Sequence, residues 1–268
     1  MKLESLVRRI ESLFPLEWAE SWDRPGLLVG DPSSEIGKIS FSLDATLDSV
    51  KAAAANGSNL LITHHPAFFR PLERVTPETM EGAVVFEAIR NGISLYGIHT
   101  NWDVSPYGVN VTLAEKAGLS GIAPIVEAKT GSWGLGALGE LEQEVPLYRL
   151  AHEVREAWGL TWIRVHGNPG RIVRKIALCG GSGGDFLQEA AKRGAEAFIT
   201  ADLRYHQENE GAFSGISILA CDHGEMESVS LERLAELIIS GTGLRAEQVK
   251  RVGATAFFDL ETPRFPKE

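Results

Sequence analysis

Two cysteines in 268 residues, Cys179 and Cys221, offer no C-x-x-C pair and no disulfide framework. Both are read as small buried hydrophobes, the usual fate of a free thiol. Long apolar runs are missing too. The N-terminal stretch MKLESLVRRIESLFPLEWAE breaks its helically spaced apolar residues with Glu and Arg, and nothing later is long and apolar enough to span a bilayer. A soluble, cytoplasmic chain with no membrane partner is expected. Positive charge is scarce: 26 Lys and Arg against 36 Asp and Glu give a formal net charge of -10. That deficit argues against nucleic acid as a partner, and a small anionic substrate would need a local positive centre such as a metal. What is plentiful is hydrophobic residues, 44% of the chain, enough for one large or two ordinary domains with a substantial core.

The chain is written twice. KISFSLDATLDSVKAAAANGSNLLITHHP, from Lys38, compares with KIALCGGSGGDFLQEAAKRGAEAFITADL, from Lys175; Ile39 meets Ile176, Gly57 meets Gly194 and Thr63 meets Thr200, all at an offset of 137. Each copy reads as strand, loop, helix, Gly-terminated turn and strand. GISLYGIHTNWD, from Gly92, then resembles GISILACDHGEME, from Gly215, at an offset of 123. The shorter offset places about fourteen extra residues in the first copy, around FFRPLERVTPETMEGA, a loop-sized difference. The expectation is an α/β fold of two similar α/β domains arising by internal duplication, residues 1–128 and 129–268, each with parallel strands and right-handed crossovers. One continuous sheet spanning both halves is the alternative.

Candidate ligands gather at predicted strand ends. His99 and Asp103 follow the third strand of the first copy, and His223 and Glu227 follow that of the second. A carboxylate four residues after a histidine shares its face on a helical turn, so imidazole nitrogen and carboxylate oxygen can reach one ion. Divalent transition metals use this mixture. Taken singly, either pair also fits a solvated or hydrogen-bonded couple. His64 and His65 end the strand NLLIT before Pro66, where strict alternation lapses and both rings can reach the carboxyl edge of the parallel strands. In the second copy the aligned residues are Ala201 and Asp202, so the tandem pair belongs to one half only. Of the other histidines, His152 and His166 read as structural, while His206 is a candidate pocket residue.

Across nearly the whole chain, WDRPGLLVGDP, SLDAT, ITHHP, HTNWD, GGSGGDF, TADLRYH and the final His-x3-Glu resemble the successive signatures of the Nif-three-like family, whose bacterial members are often labelled GTP cyclohydrolase 1 type 2 homologues. The resemblance implies a duplicated α/β fold, a pair of divalent ions in the cleft between the domains, and a hexameric toroid with its sites facing an internal cavity. Carried over by residue, it makes His64, His65, Asp103, His223 and Glu227 the metal ligands, with His99 as a close partner. One departure stands out. The family usually has Gly before the last histidine, whereas here Asp222 precedes His223, and Asp222 is expected to accept a ring N–H.

Two functions from different classes follow. The first is a dinuclear hydrolase acting on a small, nucleotide-like or phosphate-containing substrate. Its ions would be Zn, Fe, Mn or Co, and His99 would be the general acid or base, because imidazole titrates near working pH. The second is a non-catalytic metal-binding assembly whose ions hold the domains together. Thr63, Asp44 and Ser42 either shape the pocket or serve turns and caps. CGGSGGDF either cradles a phosphate or makes a tight turn for close packing of helix and sheet; it lacks the Lys-Ser/Thr of a nucleotide-binding P-loop.

Overall fold

The computed structural model describes residues 1–128, 133–243 and 249–251; the expected division between 128 and 129 falls at the edge of a stretch, 129–132, outside the described residues. α1 (Leu3–Leu13) buries Leu3, Leu6 and Ile10 on one face, the spacing of an amphipathic helix. The chain continues through β1 (Gly26–Val29), β2 (Ile39–Ser42), α2 (Leu47–Ala55), β3 (Leu60–Thr63), α3 (Met80–Arg90) and β4 (Ser94–Gly97) to the short α4 (Thr100–Asp103) and α5 (Val109–Lys116). Helix starts are written locally. Thr46 accepts the Ser49 N–H and donates its own N–H to the Ser49 hydroxyl, a capping box, and Thr79 caps α3.

The second half runs through β5 (Leu119–Ala123), the small pair β6 (Val126–Glu127) and β7 (Gly134–Leu135), β8 (Ala137–Pro146), α6 (Leu147–Trp158), β9 (Ile163–His166) and β10 (Ile172–Ser182). It then passes through α7 (Leu187–Lys192), β11 (Ala197–Ala201), α8 (Tyr205–Phe213), β12 (Ser217–Cys221), α9 (His223–Ser228), α10 (Leu231–Thr242) and β13 (Val249–Arg251). α6 buries Leu147, Leu150, Ala151, Val154 and Trp158 and stops at Gly159, whose φ of 67° is the left-handed conformation that ends helices.

Among the described residues the strands form two main sheets, ordered β1-β4-β3-β2-β13 and β5-β8-β10-β11-β12-β9. In the first, β2, β3 and β4 are parallel and fully buried, as strands covered on both faces must be. β10, β11 and β12 are the parallel centre of the second. Their registers match. Ile39 faces Leu60 and Leu60 faces Ser94; Ile176 faces Ala197 and Ala197 faces Ser217. These are the offsets of 137 and 123 seen in the sequence. In each sheet the third parallel strand is flanked by an antiparallel edge strand, β1 beside β4 and β9 beside β12.

Sheet membership crosses the middle of the chain, because β5 pairs with β8 in the second sheet while β13 pairs with β2 in the first. One apolar core also joins the halves, with Leu60, Ile62 and Tyr96 in the same cluster as Ile176, Ile199 and Leu219. Trp102 is fully buried edge-on to Phe14 and donates its indole N–H to Ser230 at 3.1 Å. Asn110 accepts the Gly180 N–H at 2.9 Å. Cys179 and Cys221 are buried free thiols, and no helix among the described residues is long and apolar enough to cross a membrane.

Candidate metal centre

The carboxyl ends of the parallel strands in both sheets open onto one cleft of about 1770 Å³, lined among others by Asp44, His65, His99, Asp103, Gly180, His223 and Glu227. β3 delivers His64 and His65: the His65 N–H donates to Leu43 O at 2.9 Å, and the Thr63 hydroxyl folds back onto His65 O at 2.7 Å. Thr63 and Ser42 therefore serve the strand-end turn, Ser42 through the carbonyl that receives the His64 N–H. β4 delivers His99 just before α4, which ends at Asp103. α9 carries both His223 and Glu227 on one turn.

Four imidazoles meet here. His64 and His99 lie 5.2 Å apart by ring centroid, His65 and His99 5.5 Å, and His65 and His223 5.5 Å. Each is tied outward through Nδ1. His64 Nδ1 donates to Ile98 O at 3.0 Å, while His65, His99 and His223 pair through Nδ1 with Asp44 at 2.6 Å, Asp23 at 2.9 Å and Asp202 at 2.6 Å. A carbonyl or carboxylate only accepts, so Nδ1 carries the proton and Nε2 is the nitrogen left to face the cleft. Glu227 Oε2 sits 3.0 Å from Nε2 of both His65 and His223 and 3.6 Å from that of His64. Asp103 Oδ1 is 3.6 Å from His64 Nε2.

The electrostatics are those of a site built for cations. Burial works against charge on His65, but Asp44 and Glu227 outweigh it and lift the imidazole to about 10; for His223, Glu227 and Asp202 outweigh burial and lift it to about 9. Burial raises the Glu227 carboxyl, yet the charge of His64 and contacts with His223 and His65 hold it well below the usual carboxylate range. Asp103 moves the other way, pushed up by burial and then by the neighbouring Glu227 charge. Burial also opposes ionisation of Asp23, but His99 and Thr100 hold it down at about 2.

The donor set fits a metal. His64 Nε2 and Glu227 Oε2 are buried without any hydrogen bond, although each lies close to other site atoms. Such orphaned atoms are costly unless something else engages them. Two trios, His64 with His65 and His99, and His65 with His223 and Glu227, each bring their donor atoms within 4.8 Å of one another. A mixture of imidazole nitrogen and carboxylate oxygen suits Zn, Fe, Mn or Co.

Asp23 and Asp202, which back two of the rings, were not among the expected site residues, and Asp44 was expected only as a pocket or turn residue. Asp222 does something other than expected. It caps α9 by accepting the Glu225 N–H at 2.9 Å, and the ring N–H of His223 goes to Asp202 instead. His206 is exposed and does not line the cleft, His152 is exposed on α6, and His166 sits at the end of β9. The Gly-rich loop is closely packed, and Gly180, Ser182, Asp185 and Phe186 also line the cleft. Gly183 donates its N–H to Thr200 at 2.8 Å, and a Cβ at 180, 183 or 184 would collide with Val109, Cys179 or Gln207.

Comparison with known proteins follows the same outline. Residues 1–251 match the family described as Duf34/NIF3 (NGG1p interacting factor 3). A GTP cyclohydrolase 1 type 2 homolog of Clostridium perfringens is 34% identical over 239 residues, 89% of this chain and 91% of that protein. Another, of Streptomyces coelicolor, is 35% identical over 232 residues, 84% of this chain and 81% of the relative. Among solved structures, a Bacillus cereus protein related to NIF3 superposes with a TM-score of 0.89 at 20% identity, covering 95% of this chain and 97% of the other, a likeness of fold.

Proposed function

The chain belongs to the Duf34/NIF3 family, and on that premise we propose that it is a dinuclear metal-dependent hydrolase of a small substrate bound in the cleft. One observation carries the reading: four imidazoles anchored through Nδ1 turn their Nε2 atoms toward the same space, with Glu227 Oε2 among them. A carboxylate can bridge two ions, and Glu227 lies among the Nε2 atoms of His64, His65 and His223, which favours two ions over one. His64, His65, Asp103, His223 and Glu227 are the proposed ligands. Divalent ions held there would supply Lewis acidity to polarise the bond attacked and an activated water as nucleophile.

The chain's own residues supply orientation and proton handling. Asp44, Asp23 and Asp202 fix the rings, and Asp44 and Asp202 raise the basicity of His65 and His223. His99, held by Asp23 with its other edge toward the cleft, is the proposed acid or base. The description carried by the bacterial relatives makes nucleotides the first substrates to assay. The matching registers support an internal duplication with units of 1–128 and 129–268. A hexameric toroid in the cytoplasm is the assembly we propose, with sedimentation velocity as its check.

The deciding experiment measures metal per chain by mass spectrometry on protein purified without added metal or His tag, beside a His64→Ala/Asp103→Ala variant, with phosphoester and nucleotide hydrolysis assayed on both. About two ions in the parent, few in the variant and metal-dependent turnover support the hydrolase. Two ions without turnover favour the non-catalytic assembly. No retained metal after anaerobic reconstitution with Fe, Mn and Zn refutes the dinuclear site.

A further inference from the structure

The connection between β3 and α3, residues 64–79, is long, whereas its counterpart between β11 and α8 is only 202–204. The extra chain builds a wall of the cleft beside the histidines. Phe69 stands there with its ring centroid 5.5 Å from that of His99, and Trp22, from the segment before β1, stands 5.8 Å from His99 and 6.2 Å from Phe69. Both are lining residues, and both remain exposed, Trp22 by 57% and Phe69 by 43%. Large aromatic surface left in water forgoes the burial that normally stabilises a fold, which calls for an occupant.

These rings are held in place. Next to Trp22, Asp23 is buried and accepts from the Thr100 N–H at 3.0 Å, the Thr100 hydroxyl at 2.6 Å and its own neighbour's Arg24 N–H at 2.7 Å. Pro66 and Pro71 bracket Phe69 and restrict the backbone on either side. Arg70 and Arg74, the two arginines of the lining, are exposed and make no ion pair or hydrogen bond among the described residues. Glu20 and Glu73 share the cleft, so the arginines offer a local anion contact and not a broad positive field.

We propose that Trp22 and Phe69 form a stacking wall for a planar heteroaromatic ring, and that Arg70 and Arg74 receive an anionic group carried by that ring. The substrate class is then an aromatic anion, with a nucleoside monophosphate as the simplest probe. This deepens the hydrolase reading in that the ring's reactive side would face His99. The wall itself requires no ion.

The test titrates the full-length chain with AMP, adenosine and ribose 5-phosphate, following tryptophan fluorescence, on metal-stripped and zinc-loaded protein whose metal content is measured in parallel. AMP is expected to bind saturably in both forms and about tenfold more tightly than either fragment. Trp22→Leu/Phe69→Ala, followed by calorimetry because the reporter is lost, should reduce AMP to the level of ribose 5-phosphate; Arg70→Ala/Arg74→Ala should reduce it to the level of adenosine. His64→Ala/Asp103→Ala should lose metal and keep AMP binding to the stripped form, which separates this proposal from the metal site. Conservative Trp22→Phe and Phe69→Tyr should retain affinity within about threefold. The proposal is overturned if AMP does not bind saturably, if ribose 5-phosphate binds as well as AMP, or if the wall variants change the association state in sedimentation while AMP affinity stays put, the mark of a subunit interface.

Discussion

At the scale of single residues, the site works through its backing acids. Asp202 has a φ of 51°, the lone non-glycine among the described residues in the left-handed region, and that turn aims its carboxylate at His223 Nδ1. Asp202→Asn keeps the backbone, because Asn tolerates this conformation, and is expected to weaken metal affinity by about 10- to 100-fold in chelator competition. Asp23 makes a pH prediction. Its carboxyl is depressed from 3.8 to about 2, so the stability it contributes is present above the unfolded value and is lost as pH falls through the folded one. Urea titrations should find about 2 kcal/mol separating wild type from Asp23→Asn above pH 5, shrinking as the pH drops toward 2. His99→Gln separates two roles for this ring. Lost metal makes it a ligand, as its trio with His64 and His65 allows, whereas retained metal with one limb of the pH–rate profile gone makes it the acid or base. The histidines were legible in the sequence because each follows an apolar strand. Asp23 was not, since 76 positions separate it from the ring it holds. Asp202 left one trace, its alignment with His65 at the repeat offset.

At the scale of elements, α9 and the β10 loop are fitted to each other. Gly181 has a φ of 67°, and a Cβ there would collide with Glu227 Oε1 and come within 3.2 Å of the His223 ring. Gly181→Ala is expected to lower stability by more than about 1 kcal/mol and to displace the proposed ligands His223 and Glu227, so metal content should fall with it. Gly159→Ala is the control, equally left-handed but facing open space, and it should lower the melting temperature while leaving metal content intact. The parallel strands and their helices could be read from apolar runs, Thr caps and Gly turns, which are local signals. Edge pairing could not. β5 and β13 are short strands whose partners depend on which sheet edge lies open nearby, and no periodicity within them names that edge.

For the whole molecule, the proposed ligands come from both halves, so metal held there would be part of the fold's stability. Chelation should lower the melting temperature, by an amount equivalent to about 4 kcal/mol when the free ion had stood at a thousand times its dissociation constant. Protons substitute in part. His65 and His223 are lifted to about 10 and about 9, so their contribution in the stripped protein is complete below about 6.5 and disappears as pH rises through those values. Differential scanning calorimetry in chelator should therefore show a melting temperature falling between pH 7 and 10, and the loaded protein should resist that fall. Finally, β13 returns to pair with β2 and closes the second sheet inside a loop of chain. A mechanical load applied at Ile39 and Arg251 would pass through the β13–β2 ladder and bypass the chain between, so under tension that ladder must part before the second sheet feels any force.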